Sequence, residues 1–154
     1  MLIPPIEHTA ETERARYCNC RRSFWNRIAQ NPPRSWGAFY HKRLKYVYGL
    51  VIPEGVRVLE IGCGAGDLLA ALRPNFGLGI DFSPEMIAKA RVQHPEIHFE
   101  VMDAHELELG GQQFDFIILS DVANDLWDIQ TVLENLRPCC HLGTRLVFNF
   151  FNHL

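Results

Sequence analysis

The sequence of 154 residues has no run of about 18 consecutive apolar residues, the length that a helix needs to cross a bilayer. Its N-terminus, MLIPPIEHTAETERARY, also lacks the basic-then-apolar order of a secretory signal. These absences exclude a membrane-spanning helix and an ordinary secretory signal. We therefore expect a cytoplasmic protein without a membrane partner.

Paired spacings of metal ligands are missing as well. The five cysteines are Cys18, Cys20, Cys63, Cys139 and Cys140. No two of them form a C-x2-C pair, and their odd number does not fit a secreted disulfide framework. His94 and His98 have the spacing of a helical pair, but Pro95 between them disfavours a helix. We expect structural or free thiols and no metal site.

Charge is unevenly distributed along the chain. Residues 1–50 hold nine Lys and Arg against three Glu, whereas residues 51–154 hold six Lys and Arg against fifteen Asp and Glu. A basic segment can bind nucleic acid or an anionic substrate. Because no nucleic-acid-binding motif accompanies the charge, we favour a solvated helical face and expect no nucleic-acid partner.

Residues 1–54 predict a helical segment that packs on the rest of the chain. Residues 9–30 place aromatic and aliphatic side chains among arginines, which is typical of an amphipathic helix. The prolines of NPPRS (31–35) interrupt it, and Ser35 can cap a second helix through Leu50. The side chains of the second helix that are available to face inward are Phe39, Leu44, Val47 and Tyr48.

Residues 55–154 alternate short apolar runs with helical stretches. The runs are VRVLEI, FGLGID, IHFEVM, FDFIIL and TRLVFNF, and the helices are expected at about 66–72, 84–93 and 128–137. Ser83 and Pro84 are typical first residues of the middle helix. Between the third and fourth runs we expect only a loop or short helix. This alternation predicts an α/β, Rossmann-like doubly wound sheet whose ligand lies beyond the C-terminal ends of the strands.

Three glycines follow the first predicted strand, in the order Gly62-Cys63-Gly64-Ala65-Gly66, and Asp67 opens the next helix. Backbone without side chains lets a ligand approach closely, and a helix N-terminus offers unsatisfied N–H groups. Tight strand-to-helix packing with nothing bound explains such a turn equally well.

Acidic residues at the ends of the next two strands favour a ligand. Asp81 ends the second strand, where a carboxylate can accept from both ribose hydroxyls, and Asp103 ends the third, within reach of an adenine amino group. The glycine order is G-x-G-x-G, not the G-x-G-x-x-G of dinucleotide sites, and Glu60 just before it would repel a diphosphate. A cationic cofactor such as S-adenosylmethionine suits this acidic slot.

Five stretches carry a family resemblance: VLEIGCGAGDLLAAL, GLGIDFSPEMIAKA, FEVMDAHEL, FDFIILSDV and LENLRPCCHLGTRLVF. In this order and spacing, over about residues 55–149, they resemble the motifs of class I S-adenosylmethionine-dependent methyltransferases. The segment AFYHKRLKYVYGLVIPEGVRVLEIGCG also resembles methyltransferase domains that are fused to glycosyltransferases in bacterial proteins.

The resemblance implies a set of residues for the cofactor and its product S-adenosylhomocysteine. Those at the methionine end are Glu60, Gly62, Cys63 and Gly64. Those at the nucleoside are Asp81 on the ribose, Phe82 over the adenine, and Asp103 with the Ala104 backbone at the adenine edge.

The same resemblance places Ser120 and Asp121 near the sulfonium and the incoming acceptor. Tyr40 or His41 could cap the pocket by analogy, although for Tyr40 we favour simple packing. Candidates for a general base are His41, Asp121 and His105, and no companion residue singles one out. Asn124 and Trp127 could line the acceptor side, and Trp127 could equally belong to the core.

The sequence departs from the family at its end. A complete class I sheet has seven strands, whereas five are expected here, so the sheet is interpreted as truncated after the fifth. An excised piece of a longer protein and a naturally shortened one both fit; we favour the first, because an apolar edge strand invites association. We expect the fifth strand to self-associate, to be covered by the front helices, or to meet a fused C-terminal domain.

Two functions fit these observations. The first is methyl transfer to a small-molecule acceptor by in-line displacement, with the enzyme supplying alignment and a route for a proton. The second is a non-catalytic S-adenosylmethionine-binding module that supports a fused partner domain such as a glycosyltransferase. The stretch SDVANDLWD replaces the NPPY signature of several amino-group methyltransferases, which favours a small-molecule acceptor.

Overall fold

The computed structural model describes residues 10–30 and 36–150. Its strands are β1 Arg57–Ile61, β2 Phe76–Asp81, β3 His98–Val101, β4 Phe114–Ser120 and β5 Cys140–Asn149. All four pairings are parallel, and the strand order is β3-β2-β1-β4-β5. The order therefore changes direction at β1, which places the ligand crevice of such sheets beyond the carboxyl ends of β1 and β4. The predicted α/β, Rossmann-like sheet of five strands is confirmed.

Within the described residues, five α-helices accompany the sheet. They are α1 Ala10–Gln30, α2 Trp36–Val51, α3 Asp67–Ala71, α4 Pro84–Gln93 and α5 Ile129–Asn135. The Ser83 hydroxyl caps α4 by accepting from the Met86 N–H at 3.1 Å, as its sequence predicts. None of the helices in the described ranges is both long and apolar enough to cross a membrane.

Helices cover both faces of the sheet. Alternate residues of β1 and β4 point to opposite faces, so each strand contributes to two apolar clusters. On one face α5 packs on Leu59, Ile61, Ile117 and Leu119, and on the other α2, α3 and α4 pack on Val58, Phe116 and Ile118. This double layer fixes the strand ends that carry the predicted site.

The inner stripe of α2 is narrower than its sequence indicates. Tyr48 and Ile52 are buried and Leu44 packs beside them, at a spacing of four residues. Phe39 and Val47 are 79% and 41% exposed, so the prediction that they face inward is wrong. These two positions lie outside the stripe that meets the sheet.

Two boundaries differ from the expected ones. α5 ends at Asn135, and a separate helical turn, Arg137–Cys139, follows it, because Pro138 cannot continue a helix. β5 begins at Cys140, before the predicted run, and a register shift accommodates the extra residues. The predicted break at residues 31–35, with its Ser35 cap, lies outside the described residues.

Candidate functional site

The glycine turn crosses from β1 to α3 with Gly62, Gly64 and Gly66 all at positive φ. A Cβ at Gly62 would meet Val122 at 2.6 Å, and one at Gly66 would meet Phe99 at 2.4 Å, so these two glycines serve the protein's own packing. A Cβ at Gly64 would meet nothing within 4 Å. Of the three glycines of the turn, Gly64 is therefore the one with open space where a side chain would lie.

Glu60 is a buried carboxyl just before this turn, with 3% of its surface exposed. Burial raises its pKa to about 8, against a hydrogen bond from the Leu69 backbone that lowers it; the nearby charges of Asp81 and Asp67 add to the rise. Its Oε2 has no hydrogen-bond partner among the described residues. A buried oxygen without a partner costs stability, so Glu60 is a candidate to accept from a ligand donor.

Asp81 lies at the end of β2 and faces the turn. Its Oδ2 accepts from the Gly64 N–H at 3.0 Å, and its Oδ1 accepts from the Ser83 N–H at 2.9 Å. Burial raises the pKa of Asp81 more than these two hydrogen bonds lower it. Each oxygen keeps a further lone pair, so the carboxylate can still accept from a ligand.

Asp103 follows β3 and bonds to His105 through one of its two carboxylate oxygens. Its Oδ1 accepts from the His105 N–H at 2.9 Å and meets the His105 Nδ1 at 2.8 Å. Burial would raise the pKa of Asp103, but the hydrogen bonds from the backbone and the ring of His105 outweigh it and lower the pKa. The His105 Nε2 in turn accepts from the Asp128 N–H at 3.1 Å. Both ring nitrogens of His105 are thus engaged inside the protein, which gives this histidine a structural role.

Ser120 and Asp121 end β4 on the other side of the turn. Asp121 has φ of +56°, a conformation that residues other than glycine seldom adopt. The Tyr40 hydroxyl of α2 donates to the Asp121 Oδ1 at 2.7 Å. Burial raises the pKa of Tyr40, and the hydrogen bond to Asp121 adds to this, so Tyr40 stays protonated and donating.

A family model described as a methyltransferase domain matches residues 58–143, more than half of the chain. The chain belongs to this family. It is a class I S-adenosylmethionine-dependent methyltransferase domain. The family model, the topology of the sheet and the relatives all support this assignment.

Curated relatives of this methyltransferase domain are longer than the chain. The "Ubiquinone biosynthesis O-methyltransferase" of Coxiella burnetii (strain Dugway 5J108-111) is 26% identical over 157 aligned positions, which cover 98% of the chain and 66% of the relative. The "Phosphatidylethanolamine N-methyltransferase" of Cereibacter sphaeroides is 28% identical over 130, which cover 80% of the chain and 59% of the relative. The chain thus spans less than two thirds of the length of either relative.

Solved structures share the fold of the methyltransferase domain. The N-methyltransferase NodS of Bradyrhizobium japonicum, solved in complex with S-adenosyl-L-homocysteine, superposes with a TM-score of 0.69 at 24% identity. The match covers 82% of this chain and 71% of NodS. At this identity the likeness concerns the fold.

Helix α1 lies across the strand ends of the methyltransferase domain, a placement that its sequence does not indicate. The Arg22 Nε donates to the Phe82 carbonyl at 3.2 Å, and its guanidinium lies 5.8 Å from the Phe82 ring. The Ser83 hydroxyl donates to the Asn26 Oδ1 at 2.6 Å. Phe82, expected over an adenine, is therefore held from α1.

A second group of α1 residues meets the loop after β4. The Trp25 indole donates to the Asp125 Oδ2 at 2.7 Å, and Arg21 pairs with the Asp125 Oδ1. Together with the contacts at Phe82 and Ser83, this pair spans the two loops that flank the glycine turn. These α1 side chains carry no local sequence signal of their role, because their partners lie between 57 and 104 residues away.

The remaining predicted residues fall into two groups: His41 and Trp127 are exposed, and Cys63 and Ala104 are buried. His41 is exposed, with its ring centroid 5.8 Å from that of Tyr40. Trp127 is 42% exposed and contacts the Tyr17 ring at 5.5 Å, which excludes it from the core. Cys63 and Ala104 are buried, and burial raises the pKa of the Cys63 thiol well above its ordinary value.

Proposed function

We propose that this domain binds S-adenosylmethionine and transfers a methyl group to an oxygen or nitrogen atom of a small-molecule acceptor. The observation that carries the proposal is the unpartnered, buried Oε2 of Glu60 beside the open space at Gly64. A cationic ligand with an ammonium group supplies the donor that this carboxyl lacks. Relatives named for O-methylation and for N-methylation support an oxygen or nitrogen acceptor.

The residues fit the cofactor along the crevice. Glu60 and the backbone of Gly62, Cys63 and Gly64 would hold its methionine end, and Asp81 would hold its ribose. Phe82, Asp103 and Ala104 would hold its adenine. When bound, S-adenosylmethionine supplies a methyl carbon that its positive sulfur activates.

The residues of the chain would bind the cofactor, orient the acceptor and provide a route for the acceptor's proton. Ser120 and Asp121 face the acceptor side, where the Asp121 carboxylate can orient a hydroxyl or amine and receive its hydrogen bond. Methyl transfer forms the bond from carbon to the acceptor atom as the bond from carbon to sulfur breaks. The acceptor's proton then passes to a base or to water.

A pair of glycine variants tests the cofactor site. Gly64 and Gly110 both have φ near +55°, and a Cβ at either meets nothing within 4 Å. Asparagine tolerates this conformation, so Gly64→Asn adds bulk at the site and Gly110→Asn adds the same bulk elsewhere. We expect Gly64→Asn to weaken S-adenosylhomocysteine binding by at least about tenfold in calorimetry, and Gly110→Asn to change it by less than about twofold.

Turnover is measured as S-adenosylhomocysteine formed from S-adenosylmethionine with a panel of phenols, alcohols and primary amines. Wild-type protein that fails to bind S-adenosylhomocysteine contradicts the proposal. Equal affinities of the two glycine variants mean that the cofactor lies elsewhere. Tight binding without product favours the supporting-module function.

A further inference from the structure

Asn149 is the last residue of β5, and it holds Asp121 in two ways. The Asn149 carbonyl accepts from the Asp121 N–H at 3.3 Å, and the Asn149 Nδ2 donates to the Asp121 Oδ1. These bonds join the ends of two neighbouring parallel strands, where Ser120 pairs with Asn149. The side chain and backbone of Asp121 are thus fixed by one residue.

This double contact explains how Asp121 keeps its unusual backbone. A φ of +56° in a residue other than glycine costs of the order of 1 kcal/mol and persists only where the surroundings hold it. Asn149 and the Tyr40 hydroxyl supply that hold from β5 and α2. The conformation of Asp121 is thus held where β4 ends.

Tyr48 sets the orientation of the Asn149 amide. Its hydroxyl donates to the Asn149 Oδ1 at 2.6 Å, which leaves the Nδ2 to face Asp121 and Tyr40. Burial raises the pKa of Tyr48 to about 12, so the hydroxyl stays a donor. Tyr40 and Tyr48 are eight residues apart on α2 and therefore lie on one side of that helix.

The two carboxylate oxygens of Asp121 differ in the hydrogen bonds that they accept. The Asp121 Oδ1 receives both donors, from Tyr40 and from Asn149. Both side-chain hydrogen bonds that the described residues give Asp121 end on its Oδ1, and Asp121 is half-buried. The other carboxylate oxygen of such a residue can accept from an O–H or N–H group.

We propose that Asn149 is a positioning residue that aims the Asp121 Oδ2 at the acceptor, and that the acceptor presents an O–H or N–H donor to it. The inference rests on the proposed function, because the acceptor matters only beside a bound methyl donor. An apolar cavity of about 180 Å³ borders the same cluster, with Tyr40, Tyr48, Val147 and Asn149 in its wall. It offers space for an apolar part of the acceptor, such as a ring.

The experiment follows the Asp121 carboxyl directly, by carbon NMR of protein labelled at its aspartate carboxyls and saturated with S-adenosylhomocysteine. The probes are catechol and ethanolamine, with anisole as a ring that lacks a donor. In wild type we expect catechol or ethanolamine, but not anisole, to shift the Asp121 signal. Asn149→Leu weakens that response by at least about fivefold while S-adenosylhomocysteine affinity changes by less than about twofold.

Two further variants separate positioning from folding. The double variant Asn149→Leu with Tyr48→Phe removes the Tyr48 hydroxyl together with its Asn149 acceptor, so that hydroxyl is not left without its acceptor, and it should lose the response equally. Tyr46→Phe changes an exposed tyrosine of the same helix and should leave the response intact. An unchanged response in both Asn149 variants overturns the positioning role.

The experiment also distinguishes a failure of this inference from a failure of the proposed function on which it rests. Wild-type protein that binds S-adenosylhomocysteine but shows no difference between anisole and the two donors overturns the acceptor class alone. Wild-type protein that does not bind S-adenosylhomocysteine overturns the proposed function, and the inference with it.

Discussion

At the scale of the residue, Glu60 links the site to the stability of the chain. Its pKa is about 8 in the folded protein against an ordinary value of 4.5, because burial disfavours the charged form. Between these two values the folded state binds more protons than the unfolded state, so the Glu60 contribution to stability falls as pH rises from 4.5 to 8.

Glu60→Gln tests this linkage. The glutamine cannot ionise, so we expect the variant to lose the Glu60 part of the pH dependence and to gain up to about 4 kcal/mol over wild type on going from pH 4.5 to pH 8. Urea unfolding at pH 5.5 and pH 8 measures the difference. Glu100→Gln, at an exposed position of β3, is the control. Equal slopes for Glu60→Gln and wild type would mean that Glu60 is ionised at neutral pH.

The same carboxyl predicts a proton effect of ligand binding. A ligand ammonium beside Glu60 favours its ionised form, so wild-type protein should release protons on binding S-adenosylhomocysteine at pH 7. Calorimetry in buffers of different ionisation enthalpy counts those protons. Glu60→Gln should release measurably fewer, and an unchanged count places the ligand's ammonium away from Glu60.

Some residues of the candidate site could be predicted from the sequence, and others could not. Gly64, Asp81 and Asp103 could be predicted because each ends or follows a strand, and parallel strands bring those ends to one edge. Asn149 obeys the same rule, as the polar residue that closes an apolar run, and that signal could have found it. Tyr48 and Arg22 could not be assigned, because their partners lie 101 and 60 residues away and depend on how the helices pack.

At the scale of the element, the polar side-chain interactions that dock α1 on the loops after the strands differ in strength. The half-buried Asp125 carboxylate accepts a hydrogen bond from Trp25 and forms an ion pair with Arg21. Near the surface, the Glu106 Oε1 forms an ion pair with the Arg14 guanidinium at 3.2 Å. Exposed ion pairs contribute little because solvent screens them. The docking of α1 on the strand ends should therefore depend on Asp125 far more than on Glu106.

Asp125→Ala and Glu106→Ala form a matched pair for this prediction. We expect Asp125→Ala to reduce hydrogen-exchange protection of α1 by about tenfold or more, while the sheet amides keep theirs. Glu106→Ala should leave α1 protection within about twofold of wild type. Equal effects of the two variants would show that α1 is held by its apolar contacts instead.

Elements were easier to predict than their packing. The caps and prolines that begin α4 and end α5 act within a few residues, so their sequence signals are local. The exposure of Phe39 and Val47 follows from where α2 meets the sheet, which no local signal records. The start of β5 at Cys140 depends on its register against β4, a property of the pair and not of either strand.

At the scale of the whole molecule, the two faces of the sheet are unequally covered. Val147 of β5 neighbours Ile118 on the face that α2 packs against, while Leu146 and Phe148 neighbour Ile117 and Leu119 on the opposite face. Leu146 and Phe148 are 39% and 56% exposed. Over the described residues no strand pairs with the outer edge of β5. Among the described residues, α2 therefore covers one face of the strand, and no strand covers its edge.

This open strand leads us to propose that the chain associates through β5 in solution. Unpaired edge groups beside exposed apolar side chains favour strand addition. We expect sedimentation equilibrium to show concentration-dependent dimers of wild type, and the double variant Leu146→Ser with Phe148→Ser to shift the dissociation constant upward by about tenfold or more. Val92→Ser removes an apolar side chain that is 82% exposed on α4, far from this edge, and should leave association unchanged. Monomers at every concentration, or an equal effect of Val92→Ser, would assign the exposed stripe to a different partner or to none.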